Sequence, residues 1–452
     1  MKQLKNSLNS VSQLLKSYMS SWPKLNLVLM ASISIFAYAP FSIWPLMFVS
    51  FIALNYTLTL AASNKQKLWY FTIFAYIFNV VNLHWVGNSF LYNSPEPYLV
   101  YFMPLLVAGM AAILTLIYVF LFMIFNKAKD GLIKNILLVP TVFLTAEFIR
   151  SLSVFGFPWN LVGYSIAGND ALLQASELGT ILVCSFLILF ISSLIATFNK
   201  KAMLVAVIVF VSWFTLGLVR FNALDKSNVE KLSAESKLIQ IDTTTHHKFD
   251  RIKMRKQVFS YLEQVKKVKY NKKVEVVVLP EMAVPYPINT EDSLLKLLQR
   301  SLGKNQTLIV GAPAYNDYDI YNTMYFVSKT DYKRYDKILL VPFGEFMPFR
   351  DFLPFIKNFT NNFKDFSVGS IANTVEFNGK KYLGLICYEA IFPFFVKENI
   401  EDKNTILTNI TNDAWFYGTV APYQHALIAK TRAVENNLAM IRVSNAGESF
   451  IR

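Results

Sequence analysis

The two parts of the chain carry very different amounts of charge, and this limits what it can fold into. Residues 1–219 hold 12 Lys and Arg and 5 Asp and Glu, whereas residues 220–452 hold the other 32 and 25. The first part is built from long apolar runs, each near the roughly 20 residues an α-helix needs to cross a bilayer. Seven are read as spanning helices, at about 25–41, 44–62, 69–90, 98–125, 135–153, 172–198 and 203–219. The second part mixes charge with short apolar segments, as a globular domain does. A composition of 54% hydrophobic and 16% charged residues does not fit a wholly soluble fold.

Orientation follows from the lysines. Lys2, Lys5, Lys16 and Lys24 precede the first run, Lys65 and Lys67 follow the second, Lys127, Lys129 and Lys134 the fourth, and Lys200 and Lys201 the sixth. The alternate connections offer only Arg150. Basic loops stay cytoplasmic, so the N-terminus is expected inside, and an odd number of spans puts residues 220–452 outside. The net charge of +14 is partly this topology signal. No nucleic-acid motif accompanies it, and a surface facing anionic lipid accounts for the remainder. Residues 1–24 are polar and basic and no small-residue cleavage site follows, so the first run is read as a retained anchor.

From residue 220 the pattern becomes alternating strands and helices. Strands are expected at Leu238–Ile241, Val274–Leu279, Thr307–Val310, Tyr325–Ser328, Ile338–Val341, Tyr382–Ile386, Thr405–Asn409 and Met440–Ser444. Helical periodicity marks about 250–268, 291–301, 391–398 and 423–437. Such alternation implies a layered α/β fold with its chemistry at strand ends.

Three of those ends carry reactive side chains. Glu281 follows Val276-Val277-Val278-Leu279-Pro280. A carboxylate there is partly desolvated and can act as a base, or it is a solvated loop acid. Lys337 lies in Tyr335-Asp336-Lys337-Ile338-Leu339-Leu340. It is either an ammonium fixed on a strand to neutralise an oxyanion, or an edge-strand lysine that discourages aggregation. Cys387 follows Tyr382-Leu383-Gly384-Leu385-Ile386 and precedes a helix start, whose dipole is expected to raise its thiolate fraction. Cys184 lies inside the sixth apolar run and cannot plausibly pair with it, so Cys387 is a free thiol in an oxidising compartment. That favours use over burial. Glu345 and Glu389 are further acids beside two of the three. A base, an oxyanion stabiliser and a thiol suffice for acyl transfer. His84, His246, His247 and His425 have no ligand spacing, so neither metal nor cofactor is expected.

Together these segments resemble the nitrilase, or carbon–nitrogen hydrolase, superfamily. Glu281, Lys337 and Cys387 match its Glu-Lys-Cys triad, with Pro342-Phe343-Gly344-Glu345 completing the second block. Joined to a multispan half, the chain is similar to the apolipoprotein N-acyltransferase branch. Glu147-Phe148-Ile149-Arg150, Gly156-Phe157-Pro158-Trp159 and Gly163-Tyr164-Ser165 resemble that branch's membrane motif. The resemblance implies a multispan helical domain over 1–219 and an external α-β-β-α sandwich over 220–452, with further strands and a last span beyond Arg452. It implies a bacterial inner membrane location with the catalytic domain in the periplasm. The implied reaction moves an acyl chain from a phospholipid through a Cys387 thioester to the α-amino group of a diacylglyceryl-modified N-terminal cysteine on an apolipoprotein. Glu281 would be the base, Lys337 the oxyanion stabiliser, and Glu345, Tyr388 and Glu389 supporting residues. Phe249 stands where the family commonly has a tryptophan after a lysine.

Phe359 and Phe363 belong to a run of phenylalanines spaced three or four apart in residues 355–370, expected to form an aromatic lid that contacts substrate. Two other readings compete. A membrane-tethered amidase would give its acyl group to water but gains little from seven spans. A transporter usually carries intramembrane charges or broken helices, whereas here Glu96, Glu147, Asp170 and Glu177 cluster toward the external face.

Overall fold

Most helices in the N-terminal half begin where the sequence removes a free N–H group or supplies it with a partner. Proline occupies the first turn of Pro23–Ile33, Pro45–Thr59 and Met103–Phe125. Asn199 accepts hydrogen bonds from the Lys201 and Ala202 amides at the start of Lys200–Asn222, and Thr180 caps Ile181–Ala196. The structure is a computed structural model that describes residues 21–88, 101–152, 156–241, 251–348, 364–370 and 374–452. It forms two compact units, Met1–Ser151 with Gly156–Ala223, and Leu152–Phe155 with Leu224–Arg452.

In the first unit a helix lies in each of the seven apolar runs, with Asn64–Leu83 and Leu132–Arg150 completing the set. Among the described residues, three are long and apolar enough to cross a membrane by length and composition: Met103–Phe125, Leu132–Arg150 and Lys200–Asn222. Asp170–Leu178 and Ile181–Ala196 qualify as a pair but are bent by 112°. Length and composition therefore qualify three of the seven, or four with the bent pair. Aromatic rings fill the bundle, Phe71 stacking on Phe122 at 4.3 Å and Phe51 meeting Phe143 edge-on at 4.9 Å. Buried amides are paired across helices, Asn79 with Thr115 and Asn82 with Ser34, as a dry interior requires.

The second unit holds two five-stranded sheets. One runs β1 (Ser236–Leu238), β2 (Val276–Val278), β3 (Thr307–Asn316), β4 (Asp319–Val327), β5 (Tyr332–Asp336), parallel through β3 and then antiparallel. The other comprises β6 (Thr374–Phe377), β7 (Lys380–Ile386), β8 (Thr405–Thr411), β9 (Met440–Ser444) and β10 (Phe450–Ile451), in the order β10-β9-β8-β7-β6.

Strand periodicity assigns the faces. Val276, Val278 and Ile309 point between the sheets with Tyr382, Ile386, Ile410 and Ile441, while Val277, Leu308 and Val310 pack against helices Arg251–Val268 and Asp292–Ser301. Leu383, Leu385 and Leu407 face helices Pro393–Glu398 and Ala421–Asn436. The result is an α-β-β-α sandwich.

One expected strand is absent. Ile338–Val341 does not pair, and the strand is β5, ending just before Lys337. The reason lies in two carboxylates. The Ile338 and Leu339 amides donate to Glu389 Oε1 at 2.8 and 3.1 Å, and the Val341 amide donates to Glu345 Oε2 at 2.8 Å. Amides already satisfied by side chains cannot join a ladder.

Candidate active site

Glu281 is carried past the end of β2 by Leu279 and Pro280. Its backbone lies close against β3, where a Cβ on Gly311 would come within 2.6 Å of the Glu281 Cα. Both carboxylate oxygens are held. Asn322 of β4 donates to Oε1 and the Asn412 amide, just past β8, donates to Oε2, each at 2.7 Å. Burial raises the Glu281 carboxyl above its ordinary range, and the neighbouring Glu345 adds to this against the pull of Lys337 and Asn322.

Lys337 follows β5 directly and is fully buried. Its amide donates to the Asn322 carbonyl at 2.8 Å, and its Nζ lies 2.8 Å from Glu345 Oε2. Burial opposes a charge there, but the Glu345 and Glu281 carboxylates outweigh it and hold the lysine above its ordinary value. Asn322 also donates to Glu345 Oε1 at 2.7 Å, so one amide orients both acids.

Cys387 directly follows β7 and opens the short 3₁₀ turn Cys387–Ile391. Its φ is +52°, a left-handed conformation uncommon for a residue other than glycine and found where surrounding structure imposes it. The expected dipole effect does not govern the thiol. Burial pushes Cys387 well above its ordinary value, Glu281 pushes it further, and Lys337 only partly offsets them. A five-residue turn has too little aligned dipole to compete. The residue still keeps partial exposure. The arrangement is thus a protonated thiol near a carboxylate of raised basicity and a fixed ammonium.

Glu389 clamps the two sheets together. It accepts from Tyr335 Oη of the first sheet at 2.7 Å and from the Ile386 amide of the second at 2.7 Å, besides the Ile338 and Leu339 amides. Burial pushes its carboxyl up to about 7, against Lys337 and these donors. Tyr388 is buried with its ring edge-on to Phe392 at 5.0 Å. Glu281, Lys337, Cys387, Glu345 and Glu389 therefore come together from four separate stretches of sequence. Phe249, Phe359 and Phe363 lie outside the described residues, as does most of the expected lid.

Sequence reading missed Asn322, Asn412 and the polar group behind the cysteine, namely Asp413, His425 and Arg442. A signal for two of them existed: Asn322 and Arg442 are polar residues inside apolar strands, where burial demands a partner.

The membrane motif has a structural account too. Arg150 donates to Tyr118 Oη at 2.8 Å and to the Phe157 carbonyl at 2.7 Å, and Glu147 accepts from the Val162 amide at 2.6 Å. These bonds tie the Phe157–Val162 stretch back onto helix Leu132–Arg150.

Comparison with known proteins agrees with this division. Residues 30–194 match the apolipoprotein N-acyltransferase N-terminal domain, and residues 238–452 match the carbon–nitrogen hydrolase domain. An apolipoprotein N-acyltransferase of Rhizobium leguminosarum bv. trifolii is 30% identical, over 92% of this chain and 83% of the relative. One from Rickettsia prowazekii is 33% identical, over 68% of this chain and 63% of the relative. Among solved structures, a carbon–nitrogen hydrolase superfamily protein of Xanthomonas campestris aligns with 48% of this chain and 81% of its own, at 17% identity and a TM-score of 0.35. With both domain models matched in order and a 30% identical relative covered over most of its length, the chain belongs to the apolipoprotein N-acyltransferase family.

Proposed function

We propose that this protein moves an acyl chain from a membrane phospholipid, through a thioester on Cys387, to the α-amino group of the N-terminal S-diacylglyceryl-cysteine of apolipoproteins. The observation that carries this reading is the buried convergence of Glu281 and Lys337, oriented by Asn322 and Glu345, beside the Cys387 thiol. In the first step Glu281 takes the thiol proton as sulfur attacks the ester carbonyl carbon. The oxyanion that forms is met by the Lys337 ammonium. Its collapse breaks the ester C–O bond, and Glu281 returns the proton to the departing lysophospholipid oxygen. In the second step the lipoprotein amine attacks the thioester, Glu281 removes a proton from nitrogen, and the Cys387 sulfur leaves and is reprotonated. A thiol that is mostly protonated at rest suits this scheme, because it ionises only when the base and a carbonyl are both present.

We further infer that the helical unit spans the bacterial inner membrane with a cytoplasmic N-terminus, and that the sandwich faces the periplasm. Support comes from the lysine distribution and from the three helices of spanning length. The test is mass spectrometry of the purified protein given phospholipid vesicles and no lipoprotein. One acyl mass on Cys387, discharged by a diacylglyceryl lipopeptide, is the expected result. Release of free fatty acid without transfer to the peptide would support the amidase reading instead. An unmodified Cys387 would remove the thioester.

A further inference from the structure

We propose that His425 is a positioning residue for acyl transfer, holding Cys387 in its left-handed turn by donating a hydrogen bond to the Cys387 carbonyl oxygen. The inference rests on Cys387 being the nucleophile. His425 lies on helix Ala421–Asn436 and is buried, with Nε2 3.2 Å from that carbonyl and Nδ1 2.7 Å from Asp413 Oδ1.

Proton counting decides the roles of the two nitrogens. Asp413 Oδ2 accepts from Arg442 Nη2 and Ser444 Oγ, both at 2.8 Å. Although burial works against its charge, His425 and Arg442 hold the Asp413 carboxyl down at about 2, so it carries no proton. Nδ1 faces a carboxylate and Nε2 faces a carbonyl, both acceptors only, so both nitrogens carry hydrogen. The doubly protonated ring is the form that makes both bonds, and Asp413 past the end of β8, Arg442 of β9 and the Cys387 carbonyl lie around it.

The support behind the ring is continuous. Arg442 Nη1 donates to Asn409 Oδ1, and Asn409 Nδ2 donates at 2.8 Å to the carbonyl of Leu385, two residues before the cysteine. Strands β7, β8 and β9 are thus tied to one another behind the thiol, and His425 is the link that reaches the strained residue itself. Burial and Arg442 hold the His425 imidazole below its ordinary value, against the pull of Asp413 and the Cys387 carbonyl. Raising the pH removes the Nε2 proton first, because Nδ1 keeps its carboxylate partner. The hold on Cys387 is released as the pH rises through that lowered value.

Two amides of different length test this in the full-length enzyme in phospholipid vesicles. His425→Gln keeps a donor that can reach the Cys387 carbonyl, whereas His425→Asn is one methylene too short. A misplacement of about 1 Å costs on the order of 10² in rate. The Asn variant should therefore form the acyl-enzyme about a hundredfold more slowly, at unchanged phospholipid KM. The Gln variant should recover to within about tenfold, and its pH profile should lose the decline with rising pH that histidine imposes. Equal rates in the two variants, or the same decline kept in His425→Gln, would overturn the proposal.

If neither variant folds, the unsubstituted histidine can be probed directly. In a Cys184→Ala chain grown on 1-¹³C-cysteine, the single labelled carbonyl is that of Cys387. Its infrared band should shift as the pH is raised through the decline in activity, and a band that stays in place overturns the proposal. Absence of an acyl adduct on Cys387 in the unsubstituted enzyme would instead remove the acyl-transfer reading while leaving the band shift to report on the hydrogen bond.

Discussion

Each unit buries an acid and a base from its sequence motif, and the two pairs are used differently. In the helical unit Arg150 bonds to the Tyr118 hydroxyl, the Phe157 carbonyl and the Asn160 side-chain oxygen, and Glu147 to the Val162 amide, which pins a loop onto its helix. In the sandwich Lys337, Glu345 and Glu281 are held by one another, by Asn322 and by the Val341 and Asn412 amides, next to a thiol. Bonds that pin a loop onto a helix fix a path of the chain, and losing them costs fold. Charges gathered beside a thiol act on what the thiol meets, and losing them costs rate. Two motifs of equal prominence in the sequence thus predict opposite phenotypes.

The sharpest test of that contrast is the thiol. Cys387→Ala should abolish acyl-enzyme formation altogether while the melting temperature in detergent stays within a few degrees, since a small side chain replaces a partly exposed one. Cys387→Ser should be nearly as inactive, because a hydroxyl is a far weaker nucleophile at neutral pH. Turnover by the alanine variant would break the assignment of the sandwich as the catalytic unit.

Lysine 337 comes next. Loss of one oxyanion donor typically costs about 10²–10³ in rate, and Lys337→Ala should lose at least that much in single-turnover acylation. Lys337→Arg should rescue poorly. A planar guanidinium cannot occupy the fully buried point-charge position 2.8 Å from Glu345 Oε2. Wild-type rates in both variants would return Lys337 to the role of a structural lysine.

The opposite phenotype is expected in the helical unit. Arg150→Leu strands a buried tyrosine hydroxyl and a backbone carbonyl, each worth roughly 1–3 kcal/mol when left unpaired. The melting temperature in detergent should drop clearly, yet the surviving protein should acylate at the wild-type rate. A slowed reaction with unchanged melting would place Arg150 in a substrate site and erase the distinction between the units.

How much of this was legible beforehand differs between the units for a physical reason. Apolar runs report helices directly, and a helix lies in each of the seven, although length and composition qualify only some as spans. In the sandwich, Val276–Val278 and Met440–Ser444 were readable because burial on both faces needs continuous apolar strands. Ile338–Val341 misled for the same reason. The Ile338 and Leu339 amides are satisfied by Glu389, 51 residues from Ile338, and local pattern carries no trace of so distant an acceptor. Glu281 and Cys387 stand out because each follows an apolar run. Asn322 stands out only as a polar residue inside an apolar strand, and His425 does not, since a buried imidazole reads like any other until its partners are placed.

The smallest predicted effect separates the neighbours of Glu281 by sign. The carboxylate must be ionised to accept the thiol proton, so acylation should rise with pH through a Glu281 value above the ordinary carboxylate range. Asn322 favours the ionised form by donating to Oε1, whereas Glu345 disfavours it by its charge. Asn322→Leu should therefore move the acid limb of the pH–rate profile to higher pH. Glu345→Gln should move it to lower pH, even as both lower the maximal rate by loosening Lys337. The measurement is the pH dependence of single-turnover acylation from vesicles across the range in which each variant stays folded. Limbs that shift in the same direction would mean that Glu281 responds to repacking of the site rather than to these two neighbours. A limb that ignores both substitutions would assign the titrating group elsewhere. Opposite shifts would show that the base is tuned by the same side chains that orient it.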